Sequence, residues 1–343
     1  MSTLTLPVNL LGFALAAAAV WHAGARLTRY VDAIAERQGL GRAFMGFLVL
    51  ATATQLPEIV TNSTAALRGA ADLVLNSMFG GISMQTAVLA VADVAAARYA
   101  LTYLAESSFN LLQAALLVVV LALLLAVSLV GDVALLPGVG LAPAVLLVLY
   151  LGIVNLLWRQ QHCASWQPSS VAGSVGRSGG NRLAESLPLA VLIRRSLLAA
   201  LVILLAGVAL VWTAEAIAGQ SGLGRSFIGV TLLAAATSLP EVSTTLTAVR
   251  LGRHSMAVAD ILGSNLIMVA LLLPADVLYR SGLLLDGLDA SARFALALGV
   301  LVTAIYLAGL ILRTPRRWLR LGWDSWAVLV CYGLGLLVLY QLR

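Results

Sequence analysis

Thr54-Gln55-Leu56-Pro57-Glu58 and its second copy, Thr237-Ser238-Leu239-Pro240-Glu241, decide the architecture of this chain. Each copy sets a carboxylate beside a proline within an apolar segment long enough to span a bilayer. A glutamate at that depth costs about 2.5 kcal/mol or more, so it marks a functional site by default. Proline removes an N–H and clashes with the carbonyl four residues back, leaving backbone oxygen free inside the helix. Carboxylate, hydroxyl and carbonyl oxygens at one level suit a hard cation.

The copy extends well beyond five residues. At the constant separation that carries Glu58 to Glu241, 183 residues, Gly39-Leu40-Gly41-Arg42 falls on Gly222-Leu223-Gly224-Arg225, Gly80 on Gly263 and Asp93 on Asp276. An ungapped register over about 55 residues is an internal duplication, and such a repeat sets the architecture before any local reading.

Composition fixes the class. Of 343 residues, 61% are apolar and 10% charged, too few charges to cover a water-soluble surface. The chain reads as an all-α polytopic membrane protein. The net charge of +6 comes entirely from arginines, which topology explains better than nucleic-acid binding. Cys163 and Cys331 have neither pairing nor metal spacing. With no basic residue before the first apolar run, the N-terminus reads as a retained span rather than a cleaved signal.

At about 20 apolar residues per span, the sequence predicts ten transmembrane helices. They lie near 7–26, 43–67, 72–96, 110–130 and 135–157, then 196–218, 226–249, 255–278, 291–312 and 324–342. The units are therefore 1–157, a cytoplasmic linker at 158–195 rich in Ser and Gly, and 196–343. Sixteen of the 21 arginines fall on the linker's side of the membrane, which puts both termini outside the cytoplasm in a plasma (inner) membrane. Five helices per half is odd, so the halves are inverted repeats. That is the plan of secondary transporters, with a site near the midplane where the repeats meet.

The following helices supply partners. Asp260-Ile261-Leu262-Gly263-Ser264-Asn265 in the second half aligns with Ser77-Met78-Phe79-Gly80-Gly81-Ile82 in the first. Glycine there, at Gly80 and Gly263, permits close backbone approach, while Pro57 and Pro240 break their helices. Glu58, Glu241 and Asp260 are thus three acids expected to face one cavity, with Ser77 as the first-repeat counterpart of Asp260. Asp93 and Asp276 sit at helix ends, where a terminal ion pair, for Asp276 with Arg280, is expected.

These residues resemble the cation/calcium exchanger superfamily, the sodium/calcium exchanger membrane-region proteins. Its two inverted repeats each carry a Gly-Thr-Ser-x-Pro-Glu stretch followed by a Gly-Asn-x-x-Gly-Ser-Asn-like stretch on the next helix. The resemblance implies that Glu58, Glu241, Asp260, Thr54, Thr237 and Ser238 hold the cation, a metal held by three carboxylates. It also implies Ca²⁺ export in exchange for Na⁺ by alternating access, with inorganic cations and the bilayer as partners and no resident cofactor. The chain departs from the pattern: Ala53 and, in the second copy, Ala236 replace Gly, while in the first repeat Gln55 replaces Ser and Asn76-Ser77 replaces Gly-Asn. Leu73 and Met256 stand where sodium-coupled members present a serine, which favours H⁺ coupling as the alternative. A non-transporting, degenerate cation-binding protein is a third reading. No His-Glu-x-x-His is present, and the one Gly-x-Ser-x-Gly match, Gly176–Gly180, falls in the Ser- and Gly-rich linker, so no enzyme is expected.

Overall fold

The computed structural model describes residues 5–96, 99–161, 182–220 and 225–342, and side chains throughout except at 182 and 225–235. The described residues form ten long helices: α1 (Leu6–Gln38), α2 (Arg42–Leu67), α3 (Ala71–Ala92), α4 (Ser108–Val130), α5 (Leu141–Gln160), α6 (Leu189–Gln220), α7 (Arg225–Arg250), α8 (His254–Leu278), α9 (Ala290–Leu312) and α10 (Trp323–Gln341). Among the described residues, all but α7 are long and apolar enough to cross a membrane, and α7 has 26 residues. The two halves are inverted five-helix repeats, and the separation seen in the sequence recurs in the elements. The start of α1 maps onto that of α6, α2 onto α7 and α3 onto the start of α8.

Several boundaries differ from expectation. α1 continues to Gln38 and is 33 residues long, about 50 Å against a hydrocarbon core of about 30 Å. Arg26, Arg29 and Arg37 punctuate its polar end without breaking the helix, because arginine is a good helix former. α6 begins at Leu189, inside the stretch expected to be linker. Residues 135–140, expected in the fifth span, instead form a hairpin of Ala134–Leu136 with Val139–Gly140; its counterpart pairs Arg317–Trp318 with Leu321–Gly322. Gly138 (φ 77°) supplies the left-handed turn in the first. Cys331 is a free, half-buried thiol, and Cys163 lies outside the described residues.

α8 is the central strut, with every residue from Met256 to Ala270 buried. It is held by α4, where the Asn110 and Gln113 amides donate to the Ser255 and Ala259 carbonyls at 3.1 Å. α1 and α6 pack along each other and against α7 and α2. Two glycines permit this approach: Gly24 faces Ser243 and Thr244, and Gly207 faces the Pro57 ring, where a β-carbon would collide in each case.

Asp93 and Asp276 are buried and each ties the end of one repeat to the hairpin of the other. Asp93 accepts from the N–H groups of Leu101 and Gly322 (2.6 Å each) and from the Ser325 hydroxyl (2.9 Å). Asp276 accepts from the N–H groups of Gly140 (2.6 Å) and Leu284 (2.7 Å). The expected pair with Arg280 is replaced by these backbone donors, since a buried carboxylate this close to unpaired N–H groups gains charge-assisted hydrogen bonds.

One end of α1 is anchored ionically. Asp32 lies 2.9 Å from Arg42 and 2.8 Å from Arg253, which is buried, and Glu36 lies 3.2 Å from Arg42. Ala70 occupies the position of Arg253 in the other repeat.

Candidate functional site

α2 and α7 present their Pro-Glu segments toward α8 and α3 in the middle of the bundle. Thr54 and Glu58, one turn apart, share a face of α2, and both are buried. Thr54 accepts or donates to Ser264 on α8 at 3.3 Å. Pro57 and Pro240 are buried and interrupt the ladder beside the acids. α2 also carries a π-helical turn over Gly46–Leu50, where Gly46 sits against the Met256 backbone; such bulges cluster at functional sites.

The two repeats are bridged at this level. The Gln55 amide donates to Glu241 Oε1 at 3.1 Å, and the amides of Gln55 and Gln85 lie beside the Glu58 carboxylate. Asn265 donates to Thr86 at 3.2 Å. Thr244, one turn after Glu241, donates to Asp260 Oδ2 at 2.6 Å. Glu241 lies within electrostatic reach of both Glu58 and Asp260. The acids therefore form a series with Glu241 in the middle, joined through amides and hydroxyls. Among the described residues, no three acidic, histidine or cysteine side chains close into a metal-ligand cluster. The three carboxylates are instead linked through amide and hydroxyl groups in a mixed oxygen lining.

That lining is rich in unmatched oxygen. Gln55 Oε1, Glu58 Oε2, Gln85 Oε1, Glu241 Oε2, Asp260 Oδ1 and Asn265 Oδ1 are buried without a hydrogen-bond partner. Buried polar atoms are nearly always paired, and each one left unpaired costs about 1–3 kcal/mol. Six such oxygens, contributed by both repeats, suit a cation with no large hydration shell.

The other expected residues divide. Ser238 is buried and donates to the Met84 sulfur at 3.4 Å, and Thr237 is half-buried beside it. Gly263 lies against Phe47 and Ala51 and permits the expected close approach of α8 to α2. Gly80 has no neighbour where a side chain would point, so it is not a contact glycine. Ser77 is exposed, and Asn76 is engaged with Asp289 and Ser291. The first-repeat polar groups reach the site two turns later, from Gln85 and Thr86. Their signal was an adjacent polar pair inside an apolar helix; Gln55, Thr244, Ser264 and Asn265 sat within or just after the quoted motifs without being assigned.

Comparison with known proteins gives the family and the fold. The sodium/calcium exchanger protein family matches residues 8–158 and 193–342. The inner membrane protein YrbG of Escherichia coli (strain K12) is 27% identical over 247 residues, 71% of each chain. The sodium/potassium/calcium exchanger 1 of Homo sapiens is 35% identical over 80 residues, 23% of this chain and 7% of that longer one. A structure of the sodium-calcium exchanger NCX_Mj, soaked with Na⁺ and without Ca²⁺, superposes with a TM-score of 0.72 at 16% identity, covering 99% of this chain and 100% of that one.

Proposed function

Because the chain belongs to the sodium/calcium exchanger family, whose members are secondary transporters and not enzymes, we propose that this cation antiporter exports Ca²⁺ in exchange for Na⁺. The observation that carries the reading is the set of six buried, unmatched side-chain oxygens contributed by both repeats. In the proposed cycle Glu58 and Glu241 bridge the transported cation from opposite repeats, and Asp260 adds charge. Thr54, Thr237, Ser238 and the carbonyls freed by Pro57 and Pro240 complete the oxygen shell. Competing cations neutralise the same carboxylates, so they bind in alternation. An empty, charged site is reluctant to cross the apolar barrier. α1 and α6 slide across the site-bearing helices, along the seams at Gly24 and Gly207. Units 1–157 and 196–343 act as the two repeats, with both termini outside the cytoplasm.

A second reading, H⁺ in place of Na⁺, is favoured by two observations. Leu73 and Met256 offer no hard-cation ligand, and Gln55 donates to one Glu241 oxygen that a sodium ion would otherwise share.

The test is ⁴⁵Ca²⁺ uptake into proteoliposomes under an outward Na⁺ gradient or, separately, an outward H⁺ gradient, with Glu58→Gln and Glu241→Gln as controls. Uptake driven by Na⁺ supports the first reading and uptake driven by H⁺ alone the second. No glutamate-dependent uptake under either gradient overturns Ca²⁺ antiport and leaves a binding role or another cation.

A further inference from the structure

The connections from α4 to α5 and from α9 to α10 are equivalent in the two repeats, and both fold as short hairpins. Their side chains differ. Residues 134–140, Ala-Leu-Leu-Pro-Gly-Val-Gly, include no arginine or tryptophan, whereas residues 316–322 at the same places read Arg-Arg-Trp-Leu-Arg-Leu-Gly. The three arginines divide by direction. Arg317 turns inward and donates to the carbonyls of Ala96 (2.9 Å) and Asp93 (2.6 Å), which fixes the base of the hairpin to the other repeat. Arg316 and Arg320 are exposed, and among the described residues neither guanidinium has an ion pair, while Arg313 just before them is matched with Glu106 at 2.9 Å.

The tip of this hairpin is held in a costly conformation. Leu319 (φ 50°) and Arg320 (φ 69°) both lie in the left-handed region, where two-residue hairpin turns ordinarily carry Asn-Gly. A residue with a β-carbon costs about 1 kcal/mol or more there. The equivalent turn, Pro137-Gly138, uses glycine at its left-handed position (φ 77°). The fold therefore accepts glycine at this place, and a turn that keeps Leu319 and Arg320 instead points to a use for their side chains.

An indole platform lies beside the two free arginines. The rings of Trp318 and Trp323 stack at 6.4 Å with planes 11° apart, and both residues are more than half exposed. Trp326 packs on Trp318 at 5.1 Å and donates from its indole N–H to the Trp318 carbonyl at 3.0 Å, which locks the arrangement. Exposed indoles at the end of a span belong at headgroup level. The hairpin is two residue pairs long, so a rise of about 3.3 Å per residue keeps Arg316 and Arg320 within about 10 Å of each other. Guanidiniums match phosphate oxygens bidentately, and the adjoining indoles and Leu319 match acyl chains, which a free inorganic anion lacks. We propose that Arg316 and Arg320, with the Trp318–Trp323 stack, form a binding site for the headgroup of an anionic phospholipid at the turn between α9 and α10.

The test uses the full chain in a neutral detergent. Its melting temperature, and the lipid retained in native mass spectra, are followed as phosphatidylglycerol or phosphatidylcholine is added. The expected result is a rise in melting temperature with one retained phosphatidylglycerol, reproduced neither by phosphatidylcholine nor by inorganic phosphate at equal ionic strength. Arg316→Gln and Arg320→Gln should each weaken the apparent affinity about fivefold, and together about 25-fold. Arg159→Gln, at an exposed arginine ending α5 on the same side of the membrane, should leave it unchanged. Leu319→Asn combined with Arg320→Gly should raise the melting temperature without lipid, by relieving the turn, yet remove most of the lipid-dependent rise, which separates a binding role from a structural one. Equal responses to both lipids, an equal response to inorganic phosphate, a response unchanged by the hairpin substitutions, or an equal loss in Arg159→Gln would overturn the proposal.

Discussion

The Gln55 amide donates to the Glu241 carboxylate at 3.1 Å, so a residue of the first repeat is bound directly to the key acid of the second. One side chain both stabilises that charge and offers an oxygen, Gln55 Oε1, to the same cavity. Gln55→Leu should remove both and weaken apparent cation affinity about tenfold, the equivalent of about 1.4 kcal/mol. Concentration dependence of uptake measures this; unchanged affinity would show that the bridge is incidental.

Asp260 depends on one short hydrogen bond. Thr244→Val removes the 2.6 Å donor while keeping the shape, and a bond to a charged group contributes about 1.5–3 kcal/mol. Cation affinity should fall by at least about tenfold. Thr244→Ser should restore most of it, because only the hydroxyl is at stake.

Gly207→Ala places a β-carbon against the Pro57 ring. Overpacking of this kind costs about 1–3 kcal/mol. The expected outcome is slowed exchange with cation binding retained, read by comparing flux with cation-induced thermal stabilisation. Equal loss of both would mean that the seam only holds the fold together.

Asp93→Ala and Asp276→Ala should each destabilise the protein by about 2–4 kcal/mol, since each strands two buried backbone N–H groups. The sites lie in separate junctions, so the double variant should show nearly additive losses in thermal melts. Strong coupling between them would contradict that separation.

Much of this was legible in the chain because duplication repeats its own evidence. Glu58 and Glu241, Pro57 and Pro240, and the five-plus-five helix plan all follow from one separation and one apolar length. Asp260 was readable for the same reason, lying in a glycine-bearing motif on the next helix. The contribution of Gln85 was not, because ungapped alignment pointed to Ser77 and only the packing of α3 shows which of its turns faces the acids. Likewise the partners of Asp93 and Asp276 are backbone N–H groups far along the chain. A spacing rule finds charged neighbours four residues away and is blind to such donors.

The anchor at Asp32 has a consequence for direction. Arg42 and Arg253 hold α1 at one end, whereas Ala70 stands where the matching contact to α6, the twin of α1, would have its counterpart of Arg253. In the proposed sliding cycle α1 and α6 are therefore tethered unequally, and every 1.4 kcal/mol of difference between two states skews their populations about tenfold. A frame built by duplication would run equally well in either sense. If the proposed cycle holds, the Asp32–Arg253 tether, which the other repeat does not copy, gives it a preferred resting posture.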